Sequence, residues 1–154
     1  MDRDDFLTAF AEATSFSANR FHPLVWILGT PEIADDVYIG AFSVVNATGS
    51  SIAIGRWCDI APFVAINVAD SHRRCLELAD EIDRHPIVLE ERVFVGSHSV
   101  IKGGATIGHH SVVAAGTIVE GIAIPPFSLV TGNPMTVRPG YYRDRWDRRH
   151  ASTH

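Results

Sequence analysis

The sequence predicts an all-β fold, a parallel β-helix wound from six-residue repeats, and three observations predict it. Leu89, Val95, Ile101, Ile107, Val113 and Val119 fall at every sixth position. Ser99, Ala105, Ser111 and Thr117 each stand four places after an aliphatic. Gly96, Gly108 and Ala114 follow an aliphatic directly. An amphipathic helix repeats its apolar positions near every 3.6 residues and a half-buried strand near every 2, so a sustained beat of six is neither. It is the signature of a solenoid. Each hexad supplies one short strand and one turn. The aliphatic points into the axis, and the small residue shares that interior. Three hexads close a triangular coil, so residues eighteen apart stack. Gly, Asn and Asp after the strands suit tight corners with positive φ.

The elements follow in chain order. Phe6, Leu7, Phe10, Ala11 and Ala13 fit a short amphipathic helix with Asp2 or Asp4 as its cap, and Pro23 ends any continuation. Leu24 to Leu28 is an apolar run suited to a first strand. Residues 1–30 read as a cap over one end of the solenoid. Ile33, Ile39 and Val45 start the beat, and a nine-residue step to Ile54 inserts three residues around Asn46 to Ser51. Ile54, Ile60 and Ile66 resume it, with Cys58 and Val64 in the interior slot. Residues 70–86 are charged and carry no six-beat, so they leave the coil as an excursion. Long excursions from a regular scaffold are often functional. Pro125, Pro126, Gly132, Asn133 and Pro134 stop the repeat. The β-helix domain thus spans 31–138. Residues 139–154 form a charged tail that either packs as a short helix through Tyr141, Tyr142 and Trp146 or frays.

At 154 residues the chain reads as one domain with room for a core. A net charge of −5 argues against a nucleic-acid binder, which carries a basic face. The acidic start lacks the apolar run of a signal peptide, and no segment has the length of a membrane span. Two distant cysteines do not make a disulfide framework. The expected location is cytoplasmic.

From Pro86 to Arg138 the repeat, the Pro125-Pro126 pair and the run Gly132-Asn133-Pro134 resemble the hexapeptide-repeat acyltransferases with a left-handed β-helix. The nearest likeness is to sugar O- and N-acetyltransferases that use acetyl-CoA. It covers about residues 30–138. Left-handedness comes from the resemblance, since crossovers in sheets are mostly right-handed. The resemblance implies a catalytic histidine at the start of the excursion, His72, before the restart at Pro86-Ile87. A hydroxyl attacks a thioester well only when a base takes its proton, and imidazole suits that task near neutrality. Asp70, or else Glu77, is the candidate to fix the ring. Many relatives have Pro where this chain has Arg73, and Trp where it has Phe94.

The same resemblance implies a homotrimer, with CoA lying in a groove between subunits. Backbone groups at Gly96, Ser97, Ala114, Ala115 and Gly116 would hold the pantetheine arm, and Lys102 and Arg138 are candidates for its phosphates. The implied acceptor is a sugar or sugar nucleotide. Trp57 and Phe63, which share a hexad slot with Phe42, and His98 are the candidate acceptor contacts; the two aromatics could instead touch a neighbouring subunit. His98 and His109 are expected in the inter-subunit groove and His110 at an exposed corner. The alternative class is a γ-carbonic-anhydrase-like metalloenzyme. Its late zinc ligands would fall at Ser97 and Lys102, or one residue on at His98 and Gly103, so no metal is expected. A silent scaffold is a third reading. Cys75 beside His72 offers a nucleophilic pair, but direct transfer from a thioester needs none.

Overall fold

The computed structural model describes residues 1–14, 19–21 and 24–151. Pro23 lies outside them. The chain coils through three parallel sheets, each visited in turn. Face A stacks Trp26–Leu28, Val44–Asn46, Ala65–Asn67, Val100–Lys102 and Ile118–Val119. Face B stacks Glu32–Ile33, Ile52–Ile54, Ile87–Leu89, Thr106–Ile107 and Ala123–Ile124. Face C stacks Tyr38–Ile39, Asp59–Ile60, Phe94–Val95, Val112–Val113 and Leu129–Thr131, and ends in the antiparallel strand Thr136–Arg138. The parallel β-helix is the fold the repeat predicts.

The register explains the beat. Leu89 lies beside Ile107, Val95 beside Val113 and Ile101 beside Val119, each one coil on. All six aliphatics of the second half are 0–1% exposed, as are Ser99, Ala105, Ser111 and Thr117. The interior hydroxyls are small because the axis is narrow, and they are satisfied by corner backbone. Ser43 Oγ donates to Ala61 O and accepts from Val64 N–H, while Ser111 Oγ donates to Pro125 O and accepts from Ser128 N–H. Among the described residues no buried side-chain polar atom lacks a partner, as buried polar groups require.

The corners depart from expectation. Glycine, asparagine and aspartate were the expected residues at positive φ. Gly104 and Gly116 do hold it, but so do Phe42, Trp57, Phe63, Arg92, His98, His110 and Phe127, with φ between 57° and 64°. Bulky side chains rarely adopt this region. Here each corner repeats one strand spacing above the last, so the side chains form columns. On the C-A corner Phe42, Phe63 and His98 stack with ring centres 5.0 Å apart at both steps. On the B-C corner Arg92 lies over Trp57, and His110 stacks on Phe127 at 5.0 Å. Ring stacking contributes about 0.5–1.5 kcal/mol beyond burial, which offsets a left-handed residue's cost of about 1–2 kcal/mol.

Helix α1 (Arg3–Thr14) is capped by Asp2, whose Oδ1 accepts from Asp5 N–H. Its Phe10 and Thr14 lie along Leu24, Trp26, Phe42 and Val44 on the outside of the first coils. The first end is closed by Phe21, packed against the core, and by Arg20, which donates to Ala34 O. Trp26–Leu28 is already a rung of the coil, paired with Val44–Asn46. The charged tail forms helix α3 (Arg143–His150), and it docks on its own coil. Trp146 meets His110 and Phe127 edge-on, and Arg143 sits 4.0 Å over the Phe127 ring. Phe127 is therefore 2% exposed and His110 is half-buried, not an exposed corner.

Two stability predictions follow from this packing. Ile101→Ala leaves a cavity in a rigid axis and should cost about 2–5 kcal/mol in urea unfolding. The second concerns acid. Burial, then the neighbouring His109 and Arg92, holds the His110 pKa below the ordinary histidine value. The unfolded chain therefore takes up this proton at a higher pH than the folded one. The corner's contribution is full above the ordinary value and is lost as pH falls through the depressed one. Tm should drop on acidification below about pH 6.5, and His110→Asn should flatten part of that drop.

Candidate active site

The excursion leaves face A after Asn67 and returns to face B at Ile87. Its base is a two-stranded antiparallel ribbon, with Ala69 beside Arg84 and Asp70 beside Asp83. One helical turn, α2 (His72–Cys75), follows directly. Arg73 pairs with Asp83 at 3.5 Å and ties α2 to the returning strand. Arg84 Nε donates to Thr48 O at 3.0 Å and packs on Gly49, where a Cβ would lie 2.7 Å from Arg84 Cδ. The three residues inserted near Asn46 to Ser51 thus seat the excursion. Its two feet approach Gly103, where a Cβ would lie 2.5 Å from Val68 O and 3.1 Å from His85 O.

This frame holds His72 on Asp70. The ring Nδ1 is 2.7 Å from Asp70 Oδ1, and the His72 backbone N–H donates to the same oxygen at 3.1 Å. The ring hydrogen bond first, and the backbone one second, hold the Asp70 carboxyl below the usual carboxylate range. An ionised carboxylate only accepts hydrogen bonds. Nδ1 therefore carries the proton of this hydrogen bond. It is Asp70, not Glu77, that holds the ring. The His72 side chain is 62% exposed and Asp70 44%.

Asp70 lines a groove of ≈ 430 Å³ with Asn67, Asp83, His85, Lys102 and Glu120. Lys102 Nζ meets Glu120 Oε2 at 2.7 Å, which raises the lysine pKa. Sequence reading missed Asp83, His85 and Glu120 here. The eighteen-residue stack could have found Glu120, since it lies one coil beyond Lys102.

The other candidates sort onto different corners. Gly96, Ser97, His98, Ala114, Ala115 and Gly116 share the C-A corner. A Cβ at Gly96 would sit 2.5 Å from Ala115 N, so the coils touch there. Gly116, at φ 71°, donates to Ser97 O and has no atom within 4 Å of where a Cβ would be. This corner and the excursion flank opposite edges of face A, so one protomer does not bring these residues to His72. Lys102 lies on the His72 side, and Arg138 stands beside Leu129 on face C. Phe63 and His98 lie together on the C-A corner, whereas Trp57 is on the B-C corner. The structure also separates His98 from His109, which shares the B-C corner with His110. They do not line one groove of a protomer. The Cys58 thiol donates to Glu90 O, and burial pushes its pKa up, as suits a core residue. Cys75 is exposed. Among the described residues no three His, Cys, Asp or Glu side chains gather as a metal site, and no helix is long and apolar enough to cross a membrane.

Comparison with known proteins bears on this arrangement. The bacterial transferase hexapeptide (six repeats) family profile matches residues 86–121. The galactoside O-acetyltransferase of Escherichia coli K12 is 36% identical over 98 residues, which cover 62% of this chain and 47% of that enzyme. The chain thus spans about half the length of that relative, or less for others it matches. A solved galactoside acetyltransferase in complex with coenzyme A superposes with a TM-score of 0.55 at 30% identity, covering 79% of this chain and 65% of that one. A hexapeptide-repeat acetyltransferase of Vibrio cholerae complexed with acetyl coenzyme A superposes with a TM-score of 0.55 at 26% identity, covering 89% and 76%. By its six-residue beat, its three-faced coil and these likenesses, the chain carries a transferase-type hexapeptide repeat and is similar to the hexapeptide-repeat acetyltransferases.

Proposed function

We propose that the protein is an acetyl-CoA-dependent acetyltransferase that acylates a hydroxyl or amine of a sugar or sugar nucleotide, with His72 as general base. The observation that carries this reading is the Asp70–His72 pair at 2.7 Å, built on an anchored excursion beside a groove that Asp70, Asp83, Lys102 and Glu120 also line. The kinship with a galactoside O-acetyltransferase and with acetyltransferases solved with CoA or acetyl-CoA supports the donor and the acceptor class. The metalloenzyme alternative has no relative among the proteins matched above.

In this reading Asp70 keeps the proton on Nδ1, so Nε2 takes the proton of the attacking hydroxyl. The acceptor oxygen forms a bond to the thioester carbonyl carbon, and the carbon–sulfur bond breaks. Nε2 then returns its proton to the departing thiolate. The tight Gly96 and Ala115 contact and the bare Gly116 suit close backbone approach by a pantetheine arm, which is why the C-A corner is the candidate donor site. The chain's own C-A corner sits across face A from His72, and His72 is largely exposed. Both facts fit a homotrimer in which the excursion of one protomer closes over the C-A corner of the next.

The test is thiol release from acetyl-CoA against a panel of sugars and amino sugars. His72→Ala should lower kcat about 10²–10⁴-fold while CoA binding and oligomeric state persist; full turnover in this variant overturns the assignment. Asp70→Asn, which can donate to Nδ1 and favour the wrong tautomer, should lower kcat at least about tenfold. The kcat/KM profile should fall at acid pH with one limb. Asp70, held below its ordinary value, stays ionised through the range where histidines titrate and adds no second limb.

A further inference from the structure

The C-A corner carries a column of three aromatic rings that stops abruptly. Phe42, Phe63 and His98 stack with centres 5.0 Å apart and planes tilted by 20° and 11°. That spacing is the strand spacing of the coil. The next rung of the column is Gly116, whose N–H donates to Ser97 O one coil below. Backbone geometry does not demand glycine there: Phe42, Phe63 and His98 hold φ of 64°, 62° and 61° on the same corner, against 71° at Gly116. Crowding does not demand it either, since nothing lies within 4 Å of the would-be Cβ. What the glycine does is leave one face of the exposed His98 ring uncovered, at the height where a fourth ring would continue the column.

We propose that this slot is a stacking site for the planar base of a nucleotide, with His98 as the platform and Phe63 as its backing. A flat heteroaromatic ring on His98 repeats the contact that Phe63 already makes beneath it. Base–aromatic stacking is tolerant of which base is bound. The slot stands on geometry alone; which nucleotide fills it rests on the transferase reading, where the base is either the adenine of CoA or that of a nucleotide-sugar acceptor.

The experiment titrates the full chain with CoA, 4′-phosphopantetheine, adenosine diphosphate and uridine diphosphate, by calorimetry and by NMR of the His98 ring protons. In the wild type a base-bearing ligand should shift the His98 ring protons upfield, and phosphopantetheine should not. His98→Ala, which removes the platform, should weaken base-bearing ligands about tenfold or more and leave phosphopantetheine unchanged. His98→Phe keeps a ring at the same corner conformation that Phe42 and Phe63 hold and should bind as the wild type. Loss confined to CoA and adenosine diphosphate assigns the slot to the donor; loss confined to uridine diphosphate assigns it to the acceptor. No His98 shift with any nucleotide, or equal weakening of phosphopantetheine, overturns the proposal. Turnover without a His98 shift defeats the slot alone, and a His98 shift without turnover defeats the transferase reading alone.

Discussion

Every residue of the coil answers to one constraint: its neighbours along the axis are copies of itself, one strand spacing of about 4.8 Å away. A side chain at any position must therefore suit the same position above and below. On the inside this selects aliphatics that form continuous columns, and small residues where the triangle narrows. On the outside it selects for side chains that stack. The aromatic and cationic corners are a direct result. A phenylalanine at positive φ is costly alone, but between Phe42 and His98 the Phe63 ring gains two partners for one unfavourable backbone.

The same constraint explains where chemistry can sit. A coil that repeats itself cannot present an isolated, oriented histidine, because its corner neighbours crowd each position. The chain leaves the coil in a long excursion between faces A and B and ties that excursion down. A ribbon, an Arg73–Asp83 pair and the Arg84 contact with Thr48 give the excursion defined feet. Asp70 ends one strand of the ribbon and His72 opens the helical turn two residues on, so orientation of the imidazole is a local property of the excursion.

Much of this was legible in the residues. The six-beat located the strands, the interior slot and the break at Asp70, and the Asp70–His72 spacing suggested the pair. Three things were not legible, each for a physical reason. Aromatic corners at positive φ run against the intrinsic preference of single residues, and only the stacking between coils makes them stable. The hexad slot tells that a residue is at a corner, but the corner's identity needs the count modulo a full coil. The insertion and the excursion shift that count further. The role of Asn46 to Ser51 as a seat was hidden because Arg84 reaches Thr48 across 36 positions of chain.

The last strand bears on how such a molecule stays discrete. Thr136–Arg138 runs antiparallel to Leu129–Thr131, the reverse of every other pairing in the three faces. A second molecule arriving end-on would meet a strand of the wrong polarity for face C, next to a helix laid over the neighbouring corner. Exposed strand edges invite edge-to-edge growth, and a solenoid with two open ends is a template for it. One reversed strand turns a potentially endless column into a particle of finite length.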